Sequence, residues 1–252
     1  MISPLTDAAT AERLDLAQTA FTTEIEAAPR LSRRQVLIAS GELALAIVLF
    51  LAVNIFHVLP VSEAVWILLL GWVSLRIRGM GWRAVGLVRP ARWGRAILIA
   101  LVAAVVLQVL STYVTEPIIA SITGAATDLS RFRQFVGNPR LLLVGLAVVW
   151  TLAAFGEELT YRGYILNRVA DLGNRRPSAW IIGLASVSVL FGVGHLYQGP
   201  TGVVDTTISG LLLGGLYLIF DRNLWIPILT HGFTDTIALL LVFFDLVPGV
   251  YR

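Results

Sequence analysis

The sequence predicts an all-α fold, a polytopic transmembrane bundle of seven to eight helices. Of its 252 residues, 57% are hydrophobic and only 14% are charged, and the mean hydropathy is +0.80. Several continuous apolar stretches approach or reach the roughly 20 residues that one bilayer crossing needs. Soluble globular domains do not combine these features, so the composition indicates an integral membrane protein.

Seven apolar segments carry this prediction, and they span residues 36–59, 61–77, 96–115, 140–156, 178–198, 203–220 and 224–247. The second is short, and Pro60 leaves room for only a tight turn before it. We predict a cytoplasmic tail over residues 1–35 and a membrane domain over 36–252. The motif-bearing core lies at about 140–240.

Arginine placement predicts the orientation of the helices. The loop between the second and third segments contains six arginines and no acid, namely Arg76, Arg78, Arg83, Arg89, Arg92 and Arg95. By the positive-inside rule this loop and the N-terminus face the cytoplasm. Strict alternation then leaves the C-terminus outside, and we expect a bacterial plasma membrane. Flanking arginines account for the net charge of +3, so we expect membrane lipids as partners and no nucleic acid.

Polar residues of the apolar segments outside the three motifs have structural interpretations. We expect Asn54 and Gln108 to hydrogen-bond to neighbouring helices. His57 and Glu63 lie close to the turn at Pro60, so we expect them at the membrane interface.

The first polar motif is Glu157-Glu158-x-x-x-Arg162, at the end of the fourth segment. A charge inside a bilayer costs at least about 2.5–3.5 kcal/mol. Two adjacent carboxylates in an apolar segment therefore indicate a role that requires them. Glu158 and Arg162 are one helical turn apart and can pair, which leaves Glu157 rotated by about 100° toward something else. The structural alternative is that both glutamates form ion pairs that tie helices together.

The second motif is Phe191-Gly192-x-Gly194-His195, late in the fifth segment. The two glycines would allow another backbone to approach closely. A lone histidine in such a helix is often a packing residue, and this alternative stays open.

The third motif places His231 and Asp235 on one helical face, with Pro227 four residues earlier. Pro227 either starts the regular helix or kinks it. A local histidine–carboxylate pair is the structural alternative.

Helical rise allows the three motifs to meet. At about 1.5 Å per residue, Glu157 would lie about 20 Å, His195 about 25 Å, His231 about 10 Å and Asp235 about 17 Å from the same membrane rim. A fourth helix running from Arg140 to Ala170 would be about 46 Å long, more than a hydrocarbon core of about 30 Å. It must therefore tilt, protrude or break, and Gly163 is the candidate break.

A glutamate and a histidine in a partly dry pocket can take a proton from water. A second histidine backed by a carboxylate can stabilise an oxyanion or hold a metal. The chain has no cysteine, and no serine or threonine stands in these motifs as an evident nucleophile, which favours hydrolysis by water. Glu157, His195 and His231 would also suit a divalent metal such as zinc, with Asp235 less suited, although no His-Glu-x-x-His helix is present.

The three motifs, in this order, resemble those of the CPBP family, the CAAX proteases and bacteriocin-processing or abortive-infection-type intramembrane metalloproteases. The segment Gly86-Leu-Val-Arg-Pro90 is similar to a cytoplasmic element that often precedes the core of that family. The resemblance covers about residues 76–240. It implies an all-helical intramembrane endopeptidase that acts on small membrane-associated substrates.

By this resemblance, Glu157 and His195 activate water, directly or through a metal, and Glu158 and Arg162 brace the first motif helix. His231 and residue 235 stabilise the oxyanion. The family usually has asparagine at this last position, and an ionised Asp235 cannot donate a hydrogen bond. Asp235 could instead orient His231, ligate a metal, or act protonated.

Two other functions remain open at this stage. The first is a non-catalytic membrane protein of the same fold, such as a bacteriocin-immunity factor or a scaffold. The second is a transporter that uses the buried carboxylates as a proton relay.

Overall fold

The computed structural model describes residues 31–247, so most of the predicted 1–35 tail lies outside the described residues. Within that range the chain folds into seven helical rods and contains no strand. The rods are α1 (Arg33–Asn54), α2 (Glu63–Ile77), α3 (Trp93–Thr123), α4 (Pro139–Leu172), α5 (Pro177–Val193), α6 (Gly199–Ile219) and α7 (Trp225–Phe243). The predicted all-α class is confirmed.

Five rods are long and apolar enough to cross a membrane, namely α1, α3, α4, α6 together with the preceding turn, and α7. Helix α5 is a shorter apolar helix of 17 residues, and α2 has 15. Each rod corresponds to one predicted segment, although α1 ends earlier than expected and α3 continues eight residues further. The chain is thus a helical membrane protein.

Alternation of the rods gives the bundle two ends. The loops 78–92, 173–176 and 220–224 share one end, where the Leu224 amide donates to the Gly86 carbonyl at 2.9 Å. This end holds the arginine-rich loop and is called the arginine-rich end below. The loops 55–62, 124–138 and 194–198 share the opposite end, where the Asp128 amide donates to the Gln198 carbonyl at 2.9 Å.

Helix α4 runs through the middle of the bundle without a break. The predicted break at Gly163 is wrong, because the chain instead widens into π-helical turns over Val149–Glu157 and Leu159–Ile165. Such turns keep the backbone hydrogen-bonded, and they are rare and concentrated at functional sites. Every residue from 158 to 168 is buried, so this part of α4 is the core of the molecule.

Three polar side chains lie elsewhere than predicted. Asn54 donates to the Phe50 carbonyl at 3.2 Å and Gln108 to the Thr112 hydroxyl at 3.0 Å, both within their own helices rather than to neighbours. Glu63 is buried within the bundle, since it is only 7% exposed.

Candidate active site

The three motifs meet around the ring of Phe191, which is 2% exposed. Its centroid lies 5.0 Å from that of His195 on the α5–α6 connection and 5.9 Å from that of His231 on α7. The guanidinium carbon of Arg162 on α4 lies 4.7 Å from the same centroid. The predicted convergence of the three motifs is confirmed at this ring, while the chemical role of each side chain stays a prediction.

Glu158 joins α4 to α7. One of its oxygens, Oε1, accepts from Arg162 Nη1 at 2.7 Å and from His231 Nδ1 at 2.9 Å. The predicted pairing of Glu158 with Arg162 is therefore confirmed. Arg162 also donates to the Gly210 carbonyl on α6 at 2.9 Å. With exposures of 0% for Glu158 and 1% for Arg162, this is a buried brace across three helices.

His195 lies just beyond the end of α5 rather than within it. Its Nδ1 is 2.9 Å from the Phe191 carbonyl oxygen, and because a carbonyl only accepts, Nδ1 carries the hydrogen. In the neutral ring Nε2 then has a free lone pair. Nε2 makes no hydrogen bond to any side chain or backbone group that the structure describes.

The carboxylate of Glu157 is the uncommitted acid of the first motif. Across residues 31–247 it forms no hydrogen bond or ion pair, whereas Glu158 forms both. Its electrostatic neighbours are His231, Glu63, Asp235 and Glu158. Glu157 is thus left out of the Glu158–Arg162 pair, as expected, and its neighbours His231, Glu63 and Asp235 are also electrostatic neighbours of His195.

His231 lies between two acids. Its Nδ1 donates to Glu158, while its Nε2 lies 3.5 Å from Asp235 Oδ2. With Nδ1 on Glu158, Nε2 is the ring nitrogen that faces Asp235. Asp235 is partly exposed, with 34% of its side chain accessible.

Glu63 is the member of this cluster that the sequence analysis missed. Its Oε1 accepts from the Tyr161 hydroxyl at 2.6 Å, and it is an electrostatic neighbour of both Glu157 and His195. An acid at the first position of an apolar helix of only 15 residues was the available signal.

The two glycines of the second motif permit close approach, as predicted. A Cβ on Gly192 would lie 1.9 Å from Thr207 Oγ1 and 2.5 Å from the Val203 carbonyl oxygen, so α6 packs directly on α5 there. A Cβ on Gly194 would lie 3.2 Å from Glu63 Oε1. The glycine beside His195 therefore admits a side chain rather than a backbone.

A loop segment covers the site at the end opposite the arginine-rich end. The guanidinium carbon of Arg131 lies 4.6 Å from the centroid of Tyr197, whose ring is 5.7 Å from that of His195. Hydrogen bonds from the Ser130 hydroxyl and from the Ser130 amide, the latter at 2.9 Å, lower the pKa of the Asp128 carboxyl from its ordinary value. Through Arg131 the segment 128–131 contacts Tyr197, the neighbour of His195.

The proposed metal ligands do not form a metal-binding group. Among the described residues no three histidine, aspartate or glutamate side chains are arranged to hold a metal ion. Both ring nitrogens of His231 face carboxylates, at 2.9 and 3.5 Å, so neither points freely toward a shared ion with Glu157 and His195. The donor geometry does not fit the predicted zinc set.

The comparisons with known proteins address the same region. The family model that matches is described as "Type II CAAX prenyl endopeptidase Rce1-like", and the match covers residues 139–237. Comparison with curated proteins and with solved structures finds no match. The matched region begins with α4, ends within α7 and contains all three motifs. Over residues 139–237, the resemblance drawn from those motifs is confirmed, and this part of the chain matches the Rce1-like family of type II CAAX prenyl endopeptidases.

Proposed function

We propose that this protein is an intramembrane endopeptidase that cleaves a membrane-associated protein or peptide of the CAAX type. The observation that carries the proposal is that two groups without a hydrogen bond among the described residues, the Glu157 carboxylate and His195 Nε2, share His231, Glu63 and Asp235 as electrostatic neighbours. Structural ion pairs would have engaged both groups. Free groups of this kind are what a general base needs.

Glu157 and His195 act on water in this proposal. Glu157 takes one proton from the water, and the lone pair on His195 Nε2 orients the water by accepting its other hydrogen. The hydroxide attacks the carbonyl carbon of the scissile amide, which becomes tetrahedral. Glu157 then returns its proton to the departing nitrogen as the C–N bond breaks.

His231 supplies the charge that the tetrahedral oxyanion needs. Its Nδ1 is fixed on Glu158, so an Nε2–H group would point toward the exposed side of the site, where Asp235 lies. A donor aimed at a developing oxyanion is commonly worth about 10²–10³ in rate. In this chain Asp235 orients that imidazole before substrate binds, and the oxyanion then replaces Asp235 as the acceptor of the Nε2 hydrogen.

Glu158, Arg162 and the Glu63–Tyr161 pair are positioning residues. Arg162 and Glu158 hold His231, while the Tyr161 hydroxyl holds Glu63 against Gly194, next to His195. Every step runs through side chains and water. The N-terminus and the arginine-rich end face the cytoplasm in this proposal, since arginines concentrate on that side.

The test is cleavage of a fluorogenic membrane peptide by the purified full chain in detergent. Each peptide is made with and without a prenyl group near its C-terminus. Glu157→Gln removes the general base, and we expect it to lower kcat about 10²–10⁴-fold. Glu116→Gln is the matched control, because Glu116 is another carboxylate in a span, bonded to Thr127 at 2.8 Å and outside the site.

Equal kcat values for wild type and Glu157→Gln would defeat the mechanism. Full activity on the peptide without the prenyl group would keep the endopeptidase and remove the prenyl specificity. Metal analysis with a chelator arm tests the donor geometry, and we expect cleavage to survive chelation. Loss of cleavage that zinc restores would contradict the water-and-side-chain mechanism.

A further inference from the structure

A cavity lies at the arginine-rich end, away from the candidate active site. Its volume is about 410 Å³, and it opens between the 83–88 segment and the 220–223 turn, with Asn167 of α4 and Arg175 of the 173–176 loop also lining it. The 83–88 segment includes part of the Gly86–Pro90 element, to which the proposed peptidase chemistry gives no role.

The lining of this cavity has excess positive charge. Arg83, Arg175 and Arg222 line it together with one acid, Asp221. Arg175 is neutralised by Asp171, whose Oδ1 accepts from its Nε at 2.7 Å. Arg83 and Arg222 have no ion pair or hydrogen bond with any side chain between residues 31 and 247.

Two of these guanidinium groups are held close to one ring. The guanidinium carbons of Arg175 and Arg222 each lie 5.4 Å from the centroid of Trp180. These cation–π contacts hold both guanidinium groups in place beside the cavity.

The walls of the cavity are fixed before any ligand binds. Tyr217 donates from its hydroxyl to the Val85 carbonyl at 2.9 Å, and Asn223 donates to the Val88 carbonyl at 3.0 Å. Gly86 has φ of +107°, and a Cβ there would lie 1.9 Å from the Arg222 carbonyl oxygen. A site that is already ordered loses little entropy when it binds a ligand.

Apolar side chains border the cavity on the bundle surface. Val88, which lines it, is 48% exposed, and Ile219, next to the lining residue Phe220, is 74% exposed. A ligand in the cavity would therefore have its charged part on arginines and an apolar part beside lipid-facing side chains.

We propose that this cavity binds a phosphate group, supplied by the headgroup of an anionic phospholipid at the membrane surface. Guanidinium groups form paired, charge-assisted hydrogen bonds with phosphate oxygens, and basic pockets at the ends of membrane helices are suited to such headgroups. The apolar border places the acyl chains alongside α6. This site is separate from the proposed peptidase chemistry and does not depend on it.

The experiment titrates the purified full chain in a neutral detergent with short-chain phosphatidylglycerol and follows the shift in melting temperature. Parallel titrations use phosphatidylcholine of the same chain length and inorganic phosphate. The variant is Arg83→Gln/Arg222→Gln. The matched control is Arg89→Gln/Arg92→Gln, which removes the same charge from the same end of the bundle without touching the cavity lining.

We expect wild type to bind phosphatidylglycerol and the cavity variant to bind it about 25-fold more weakly, at roughly fivefold for each arginine. The control variant should stay within about twofold of wild type, as expected for charges outside the site. If inorganic phosphate raises the melting temperature saturably, and Arg83→Gln/Arg222→Gln abolishes this rise, the cavity is a phosphate site for a soluble ligand.

Three results would overturn the proposal. Equal weakening in both double variants would show diffuse attraction to surface charge. Equal protection by phosphatidylcholine, whose headgroup bears a phosphate but no net charge, would show that the site does not select an anionic headgroup. Absence of protection by phosphatidylglycerol and by phosphate would show that the cavity binds neither. Melting temperatures without ligand establish that each variant is folded.

Discussion

Removing Arg162 is expected to destabilise the whole bundle, because its guanidinium is the buried counter-charge of Glu158. Arg162 is 1% exposed, donates to Glu158 at 2.7 Å and to the Gly210 carbonyl at 2.9 Å, and lies over Phe191. Arg162→Met keeps the length and the apolar stem but removes the charge. It leaves the Glu158 carboxylate with His231 as its one remaining partner among the described side chains.

The magnitude follows from the cost of an uncompensated buried charge. Breaking a buried ion pair by removing one partner costs about 3–5 kcal/mol. Because His231 still donates to Glu158, we expect the lower value, about 3 kcal/mol. For a chain of this size each kcal/mol lowers Tm by about 2–4 °C, so the expected loss is about 6–12 °C.

The assay is thermal unfolding of the purified protein in detergent, followed by tryptophan fluorescence. Glu158→Gln in the Arg162→Met background removes the stranded charge while its amide oxygen can still accept from His231, so Tm should rise again by about half of the loss. Arg140→Met, at an exposed position near the start of α4, is the control and should change Tm by less than about 2 °C. The reasoning would be refuted if Arg162→Met were as stable as Arg140→Met. It would also be refuted if adding Glu158→Gln did not raise the Tm of Arg162→Met.

Three further predictions concern packing and rate. Gly192→Ala places a methyl group 1.9 Å from Thr207 Oγ1, whereas nothing lies within 4 Å of the corresponding position at Gly215. In the same thermal assay we expect Gly192→Ala to lower the free energy of unfolding by about 1–3 kcal/mol and Gly215→Ala to leave it unchanged. Tyr161→Phe removes the donor to Glu63 and is expected to lower kcat about tenfold with KM unchanged, since the hydroxyl positions groups and binds no substrate; an equal change in KM with constant kcat would contradict that role. Asp235→Asn should retain cleavage, because an amide N–H can donate to the oxyanion, and a loss as large as that of Glu157→Gln would show that the carboxylate itself is required.

The sequence was sufficient for the fold class and for most of the site. Apolar segments of spanning length predicted seven rods, and the four-residue spacing between Glu158 and Arg162 predicted their pairing. Depth estimates from helical rise were coarse, yet they placed the motifs close enough to predict that they meet, as they do at Phe191.

Two features could not be predicted from periodicity. The π-helical winding of α4 leaves no signature in a pattern of apolar residues, so excess length was interpreted as a break at Gly163. Glu63 lies three residues after Pro60, and nearness to a turn was taken as nearness to the surface. The contact with Tyr161 is 98 residues away in sequence, and local rules carry no information on such a pair.

The brace on His231 was only half predicted. The sequence placed Asp235 one turn beyond the histidine, but Glu158 belongs to another helix. The depth estimates placed the three motifs near one another, but they could not predict which atoms of one motif contact which atoms of another. That atomic pairing leaves Glu157 and His195 free, and the proposed mechanism depends on it.

The most direct test of the account is proximity between residues 157 and 195 in the folded protein. The chain contains no cysteine, so the only thiols in Glu157→Cys/His195→Cys are the two that are introduced. The variant is treated with a short bifunctional thiol-reactive cross-linker, and the linked peptides are detected by mass spectrometry. Ser111→Cys/Asp205→Cys, where Ser111 Oγ donates to Asp205 Oδ2 at 2.8 Å, is the positive control outside the site. The account predicts that both pairs are linked; linkage of the control pair alone would contradict a shared chamber for the acid of α4 and the imidazole that follows α5.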